Sequence, residues 1–231
     1  MIGTIVNAAA VLVGGLLGLL LRGGIPQRLR DTVMQGLGLC VLIIGMRGAV
    51  ATSDVMVLIV SIVAGGLLGE WINIEAHLAH MGERMEKRFT HTDAPEGQFA
   101  QAFMTASLMF CVGALAVVGP MDSGLRGDNT TLFVKAALDF VTALFFASAM
   151  GPGVLLGAVT VLCYQGAIAL CARAIAPWMT EGVVAEMGAV GGLLILAIGM
   201  NMLGITKVRV GNLLPAMFVP MLYLPLMGLF S

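Results

Sequence analysis

Charge is scarce in this chain. Asp, Glu, Lys and Arg make up 11% of its 231 residues, where a soluble domain carries about 25%. So few charges cannot clothe a globular surface. With 59% hydrophobic residues and a mean hydropathy of +1.00, the bilayer has to act as the solvent. The net charge of −1 gives no basic patch for nucleic acid. Cys40, Cys111, Cys163 and Cys171 lie in apolar stretches without CxxC spacing and read as small buried hydrophobes. There is no HExxH, GxxxxGK[ST] or GxSxG, and no Gly-rich dinucleotide loop followed by an acidic residue. Nothing here reads as an active site, so the expectation is a non-enzyme without a cofactor. Aromatics are only 6% while glycines number 31, a balance suited to close-packed membrane helices.

The apolar runs set the architecture. A span needs roughly 20 apolar residues, and eight stretches qualify: Ile2–Leu21, Val33–Ala51, Val55–Ile74, Phe99–Gly119, Thr131–Met150, Pro152–Arg173, Val183–Leu203 and Val210–Phe230. The first lacks a preceding basic residue and a small-residue cleavage site, so it is expected to be retained. The whole chain, 1–231, reads as one all-α polytopic membrane domain. Between these spans eight Lys and Arg fall on one side: Arg22, Arg28, Arg30, Arg84, Lys87, Arg88, Lys207 and Arg209. Two, Arg126 and Arg173, fall on the other. The positive-inside rule then puts both termini outside, which in a bacterial inner membrane means the periplasm.

The one sizeable hydrophilic connection, 75–98, is expected to be cytoplasmic. Within it Glu75–Phe89 is amphipathic, with Ile74, Leu78, Met81, Met85 and Phe89 forming one stripe. The pattern predicts a helix on the membrane surface, ending before the turn-rich linker Thr90–Gly97. His77, His80 and His91 all fall in this connection. His77, His80 and Glu83 share a face at metal-like spacing, yet surface helices often carry such residues, and no metal site is assigned.

Two internal echoes appear. Val13-Gly-Gly-Leu-Leu-Gly18 recurs as Ala64-Gly-Gly-Leu-Leu-Gly69 and in part as Val190-Gly-Gly-Leu-Leu-Ile195. Leu42-Ile-Ile-Gly-Met46 is matched by Leu196-Ala-Ile-Gly-Met200, which pairs the second span with the seventh. An odd offset reverses direction, so a repeat linking them would be inverted, as in many secondary transporters. Chance is the competing reading, because Gly, Leu and Ile dominate every span. Gly14/Gly18, Gly65/Gly69, Gly153/Gly157 and Gly188/Gly192 are small-xxx-small pairs that predict a tight bundle and also suit a homodimer face.

Polar groups at membrane depth are the functional candidates. Lys135 and Asp139 share one helix face in the fifth span. A charge in hydrocarbon costs at least roughly 2.5–3.5 kcal/mol, so such residues face a bundle interior and have partners. Two readings fit: a self-satisfied ion pair that fixes helix register, or a substrate or proton site. Arg47, at similar depth, is a further candidate partner for Asp139. Gln165, Asn7 and Asn212 are uncharged candidates for the same pathway. Glu70, Glu186 and Asn201 fall near span ends, where headgroup solvation is expected. Pro215, Pro220 and Pro225 predict a kinked or broken last span. Gly119-Pro120 and Gly151-Pro-Gly153 predict further interruptions.

The opening Met-Ile-Gly-Thr-Ile-Val-Asn7, Ser107-Leu-Met-Phe-Cys-Val-Gly113, Lys135-Ala-Ala-Leu-Asp139, Tyr164-Gln-Gly166 and Gly211-Asn-Leu-Leu-Pro215 resemble the YqgA-like and YdfK-like bacterial inner-membrane proteins, a domain-of-unknown-function family. The likeness spans nearly the whole chain. It implies a polytopic membrane protein and brings no catalytic residues and no substrate. The expectation is a transporter or channel for a small solute or ion. A membrane scaffold or regulatory protein, acting through helix faces and the cytoplasmic connection, is the alternative.

Overall fold

A computed structural model describes residues 1–23, 26–89 and 97–227, so His91 and most of the expected linker lie outside the described residues. Among the described residues the chain is helical and without strands. The helices are α1 (Ile2–Arg22), α2 (Gln27–Ala49), α3 (Val55–Ile72), α4 (Ile74–Phe89), α5 (Gln98–Cys111), α6 (Leu115–Arg126), α7 (Thr130–Met150), α8 (Gly157–Ile175), α9 (Glu181–Met202), α10 (Val210–Leu213) and α11 (Val219–Met227). Seven helical segments are long and apolar enough to cross a bilayer, and α5 with α6, bent by 59°, makes an eighth.

Local chemistry sets the ends. Asp54 caps α3 by accepting from the Met56 N–H at 2.8 Å, and Asn73 closes it in the left-handed region at φ 56°. Thr180 caps α9 through the Val183 N–H. Ahead of α7, Asp128 accepts from the Thr130 N–H at 2.9 Å. That bond holds the Asp128 carboxyl below its usual range. The fourth span breaks at Val112–Ala114, not at Gly119-Pro120. Gly113 adopts φ +111°, a conformation that only glycine takes cheaply, whereas Pro120 is accommodated inside α6. Span eight is broken at Pro215, by a 3₁₀ turn Leu214–Phe218 between α10 and α11, whereas Pro220 and Pro225 lie within α11.

Helix directions decide whether α5–α6 crosses. Gly3 lies against Asn129 and Leu132, Gly14 against Phe140, and Gly18 against Leu144, so α1 and α7 run parallel. Three spans and α4 precede α5. The parallel pair therefore requires α5–α6 to traverse the bundle completely; a re-entrant loop would leave α7 antiparallel to α1. The N-terminal end of α1 meets the far end of α6, where the Met1 nitrogen donates to Ser123 Oγ at 2.9 Å.

The second internal echo is structural. Gly45 packs on Leu196 and the Gly192 carbonyl; reciprocally, Gly199 packs on Leu42 and the Gly38 carbonyl. Gly38 meets Met202 and Leu203, and Gly192 meets Gly48 and Ala49. Each contact becomes its counterpart when residue i is exchanged with i + 154, the separation of Leu42 and Leu196, so α2 and α9 cross about a local twofold axis. The same separation carries α1 onto 156–176, close to α8, and α3 onto 209–226, close to α10–α11. It also exchanges one parallel pair, α1 with α7, for another, α8 with α5–α6. In the latter, Gly153 meets Phe99, Gly157 meets Phe110, and Gly124 meets Ala169 and Ala172. The arrangement is an inverted repeat of two three-span units, α1–α3 and α8–α11, around the central spans α5–α6 and α7.

The glycine pairs are consumed within the chain. Gly14/Gly18 face α7, Gly65/Gly69 face Ala216 and Asn212, Gly153/Gly157 face α5, and Gly188/Gly192 face Ala114 and α2. None of them is left over as a dimer face. The outer surface is instead a belt of Leu, Ile and Val, and of the cysteines only Cys111 is buried. The expectation of four buried cysteines fails because Cys40, Cys163 and Cys171 lie on this belt, where a small apolar side chain is equally at ease. Trp71 and Trp178 are exposed at opposite ends of the bundle, suited to the two membrane interfaces.

Helix α4 forms, with its face turned from the expected stripe. Gly82 is buried against Ala100 and Phe103 of α5, Leu78 and Met85 flank it half-buried, and Met81 is exposed. The contact is helix on helix, so the smallest residue sits at the closest approach. Spin labels at Leu78, Met81 and Glu83 should show least water contact at Leu78; equal exposure at all three would exclude this docking.

Candidate functional site in the bundle interior

Four of the six candidates converge. Lys135 and Asp139 sit one turn apart on α7, and their side chains bond at 2.6 Å from Nζ to Oδ2. The same Oδ2 accepts from Asn7 Nδ2 of α1 at 3.0 Å. Asn7 Nδ2 also reaches Gln165 Oε1 of α8 at 3.2 Å. Asn7 and Gln165 are 0% exposed, Lys135 5% and Asp139 6%, so the network is withdrawn from lipid and solvent alike. The glycines of α1 make this geometry: with Gly14 and Gly18 on the carbonyls of Phe140 and Leu144, the α1 backbone comes close enough for the short Asn7 side chain to reach α7.

The network is incomplete. Asn7 Oδ1 and Gln165 Nε2 are buried without partners, as are nearby Thr4 Oγ1, one turn from Asn7, and Tyr164 Oη, next to Gln165. Each such group costs about 1–3 kcal/mol. The network thus keeps one open amide acceptor, on Asn7, and one open amide donor, on Gln165. Among the described residues no group of His, Cys, Asp and Glu has metal-binding geometry.

Arg47 and Asn212 do not join. Arg47 is exposed in the last turn of α2, and the partners of Asp139 are Lys135 and Asn7. The close face of α2, at Gly38, Gly45 and Gly48, is spent on α9. Asn212 belongs to a second cluster, at the end that carries α4. Its Nδ2 donates to Glu70 Oε2 at 2.7 Å, its Oδ1 accepts from the Glu75 N–H at 2.8 Å, and Arg209 donates to Glu70 Oε1 at 2.7 Å. Glu75 accepts in turn from the Gly211 N–H at 3.0 Å. Burial pushes its carboxyl above the usual range, against the Gly211 bond and the Arg209 charge.

Glu186 and Asn201 also depart from the expectation of headgroup solvation. Glu186 is 1% exposed and takes bonds from Thr52 Oγ1 at 2.6 Å and from Ser53 N and Oγ at 2.7 Å each. Asn201 pins the 203–208 loop through Thr206 Oγ1, Val208 N and Val208 O. Hydropathy locates these residues near span ends; only the fold shows that the loops curl back over them.

A cavity of about 390 Å³ opens at the α4 end, lined by Glu75, Gln101, Thr105, Asn201, Thr206 and Lys207 among others. It runs inward along α5 to Leu108. Beside that level Ser107 and Thr160 share a 3.0 Å hydrogen bond. Gln165 lies five residues further along α8, about 8 Å at helical rise. Neither Lys135 nor Asp139 lines the cavity, so the ion pair is a dry contact here. The sequence singled out neither Gln101 nor Thr105, and no periodic signal marks them.

Across residues 2–224 the chain matches the family described as "Protein of unknown function (DUF554)". It belongs to that family. The chain is 32% identical over 224 residues, 95% of its length and 94% of the relative's, to "Uncharacterized membrane protein YdfK" of Bacillus subtilis (strain 168). It is 33% identical over 222 residues, again 95% and 94%, to "Uncharacterized protein YqgA" of Escherichia coli (strain K12). No solved structure matches. This DUF554 chain is a multi-pass membrane protein, and the resemblance read from its motifs holds over nearly all of it.

Proposed function

We propose that this protein is a transporter of a small polar solute or ion, acting without catalysis, with Asn7, Lys135, Asp139 and Gln165 as its central site. The observation that carries this reading is the incomplete buried network: an ion pair at membrane depth with an open amide acceptor and an open amide donor beside it. A purely structural pair would be expected to close its hydrogen bonds, because each open one costs stability. The inverted repeat and the broken spans α5–α6 and α10–α11 support it, since both are usual features of secondary transporters. Asp139, as the carboxylate of the network, is the proposed proton-coupled group. A neutral network of one acid, one base and two amides suits a neutral, zwitterionic or proton-coupled cargo better than a bare multivalent ion.

The reading includes placement in a bacterial inner membrane, with the α4 end cytoplasmic and both termini outside, from the eight-to-two Lys and Arg bias. Reporter fusions in the 75–89 segment and at the C-terminus should report opposite faces; the same face for both would refute this topology. Purified protein in liposomes on a solid-supported membrane should give a transient current, or a pyranine-detected pH change, for one member of a panel of amino acids, carboxylates, amines and monovalent ions. Silence across the panel together with unaltered proton leak would count against transport.

A further inference from the structure

The inverted repeat gives every residue of α1–α3 a counterpart in α8–α11, so differences between the two ends of the bundle carry information. At the α4 end, Asn201, Thr206 and Lys207 line the open cavity. Their counterparts, by the same separation of 154, are Arg47, Thr52 and Ser53 at the opposite end. There Thr52 and Ser53 are held by the Glu186 carboxylate through three short bonds. The counterpart of Glu186 is Thr32, which bonds its own helix at the Arg28 carbonyl, 3.0 Å, and does not reach across to Thr206. One end is clasped by a carboxylate. At the other no carboxylate stands at the equivalent position; Asn201, from its own helix, holds Thr206 instead, and a cavity opens beside it.

We propose that Glu186 with Thr52 and Ser53 is the latch of an outer gate, and that this structure is an outward-closed member of an alternating pair. The inference rests on the transport reading and adds its conformational control. The physics is direct: hydrogen bonds to a charged acceptor are worth roughly twice neutral ones. Three of them tie the α2–α3 loop to α9 at one end, whereas at the equivalent place of the other end Thr32 makes no bond to Thr206, and that difference biases a near-symmetric scaffold toward one state. The buried Asn7–Asp139–Gln165 network is then reached from outside only after the latch releases, when the α2–α3 loop and the start of α9 part.

The experiment needs no knowledge of the cargo. In a chain whose native cysteines are replaced, Ala189→Cys places one thiol a turn deeper than Glu186 on α9, at a position 1% exposed. A membrane-impermeant maleimide is applied from outside to right-side-out vesicles. Labelling should be slow with Glu186 present and roughly tenfold faster or more with Glu186→Gln, the shift expected on weakening charge-assisted bonds. Thr52→Val with Ser53→Ala, which removes the hydroxyl donors from the loop side, should do the same and serves if a Glu186 variant fails to assemble. Unchanged labelling in well-assembled variants overturns the latch, whether or not flux is observed. Faster labelling with no current for any panel member supports the latch and removes the transport reading instead.

Discussion

Asp139→Ala should lose most of its detergent-stable protein, whereas Lys135→Met combined with Asp139→Leu should assemble normally and carry no current. Asp139 Oδ2 is the shared acceptor of Lys135 Nζ and Asn7 Nδ2. Removing it strands an ammonium that is 5% exposed and opens a further amide donor in a network already short of partners. Breaking one half of a buried pair typically costs about 3–5 kcal/mol, much of it from the charge left behind. Asp139→Asn keeps the shape and an acceptor oxygen, so it should fold better than the alanine variant while losing the charge and proton exchange. The double apolar variant removes both charges together, and replacement of that kind is often neutral or stabilising. Size-exclusion yield and liposome current separate the readings. A double variant that assembles and transports normally would show that the pair only fixes helix register. One that assembles and is silent places the pair in the pathway.

Gly45→Val should be severely destabilising and Gly199→Val destabilising to a smaller degree, while Gly36→Ala should be tolerated. A Cβ at Gly45 would overlap the Leu196 backbone and the Gly192 carbonyl; one at Gly199 would overlap Leu42 and the Gly38 carbonyl. Backbone on the far side cannot rotate away, so the cost should reach or exceed the upper end of the about 1–3 kcal/mol usual for overpacking. The order follows from the spacing: a Cβ at Gly199 would come within 2.8 Å of the Leu42 nitrogen, and one at Gly45 closer still to the Leu196 nitrogen. Gly36 has open space where its Cβ would be, and alanine there gains helix propensity. Thermal stability in detergent, read by the loss of the monodisperse peak, gives all three values. A Gly45→Val or Gly199→Val variant as stable as the parent would contradict the reciprocal packing.

The legible part of this protein follows from solvent chemistry. Eight apolar stretches, few charges and an eight-to-two basic bias specify a polytopic helical membrane protein with little ambiguity, because the hydrocarbon core penalises every alternative backbone. The charge of Lys135 and Asp139 was conspicuous for the same reason. So were the prolines of the last span, whose lost hydrogen bonds break it near where they lie. What the sequence by itself left open concerned direction and depth. A five-residue motif shared by spans two and seven is compatible with chance; the reciprocal contacts of Gly45 and Gly199 make it a twofold axis. Hydropathy records how apolar a window is, not which carbonyl a side chain will meet. It therefore put Glu186 among headgroups when the fold buries it under Thr52 and Ser53. It put Arg47 near Asp139 by equal depth, when Arg47 is exposed and the partners of Asp139 are Lys135 and Asn7. It read Gly119-Pro120 as an interruption at the end of span four, although α6 runs through Pro120 and the chain turns at Gly113, φ +111°. Sequence determined the solvent, the number of crossings and the cost of the buried charges. Tertiary structure decided which polar groups share that cost, since partners in a bilayer interior come from helices far apart in the chain.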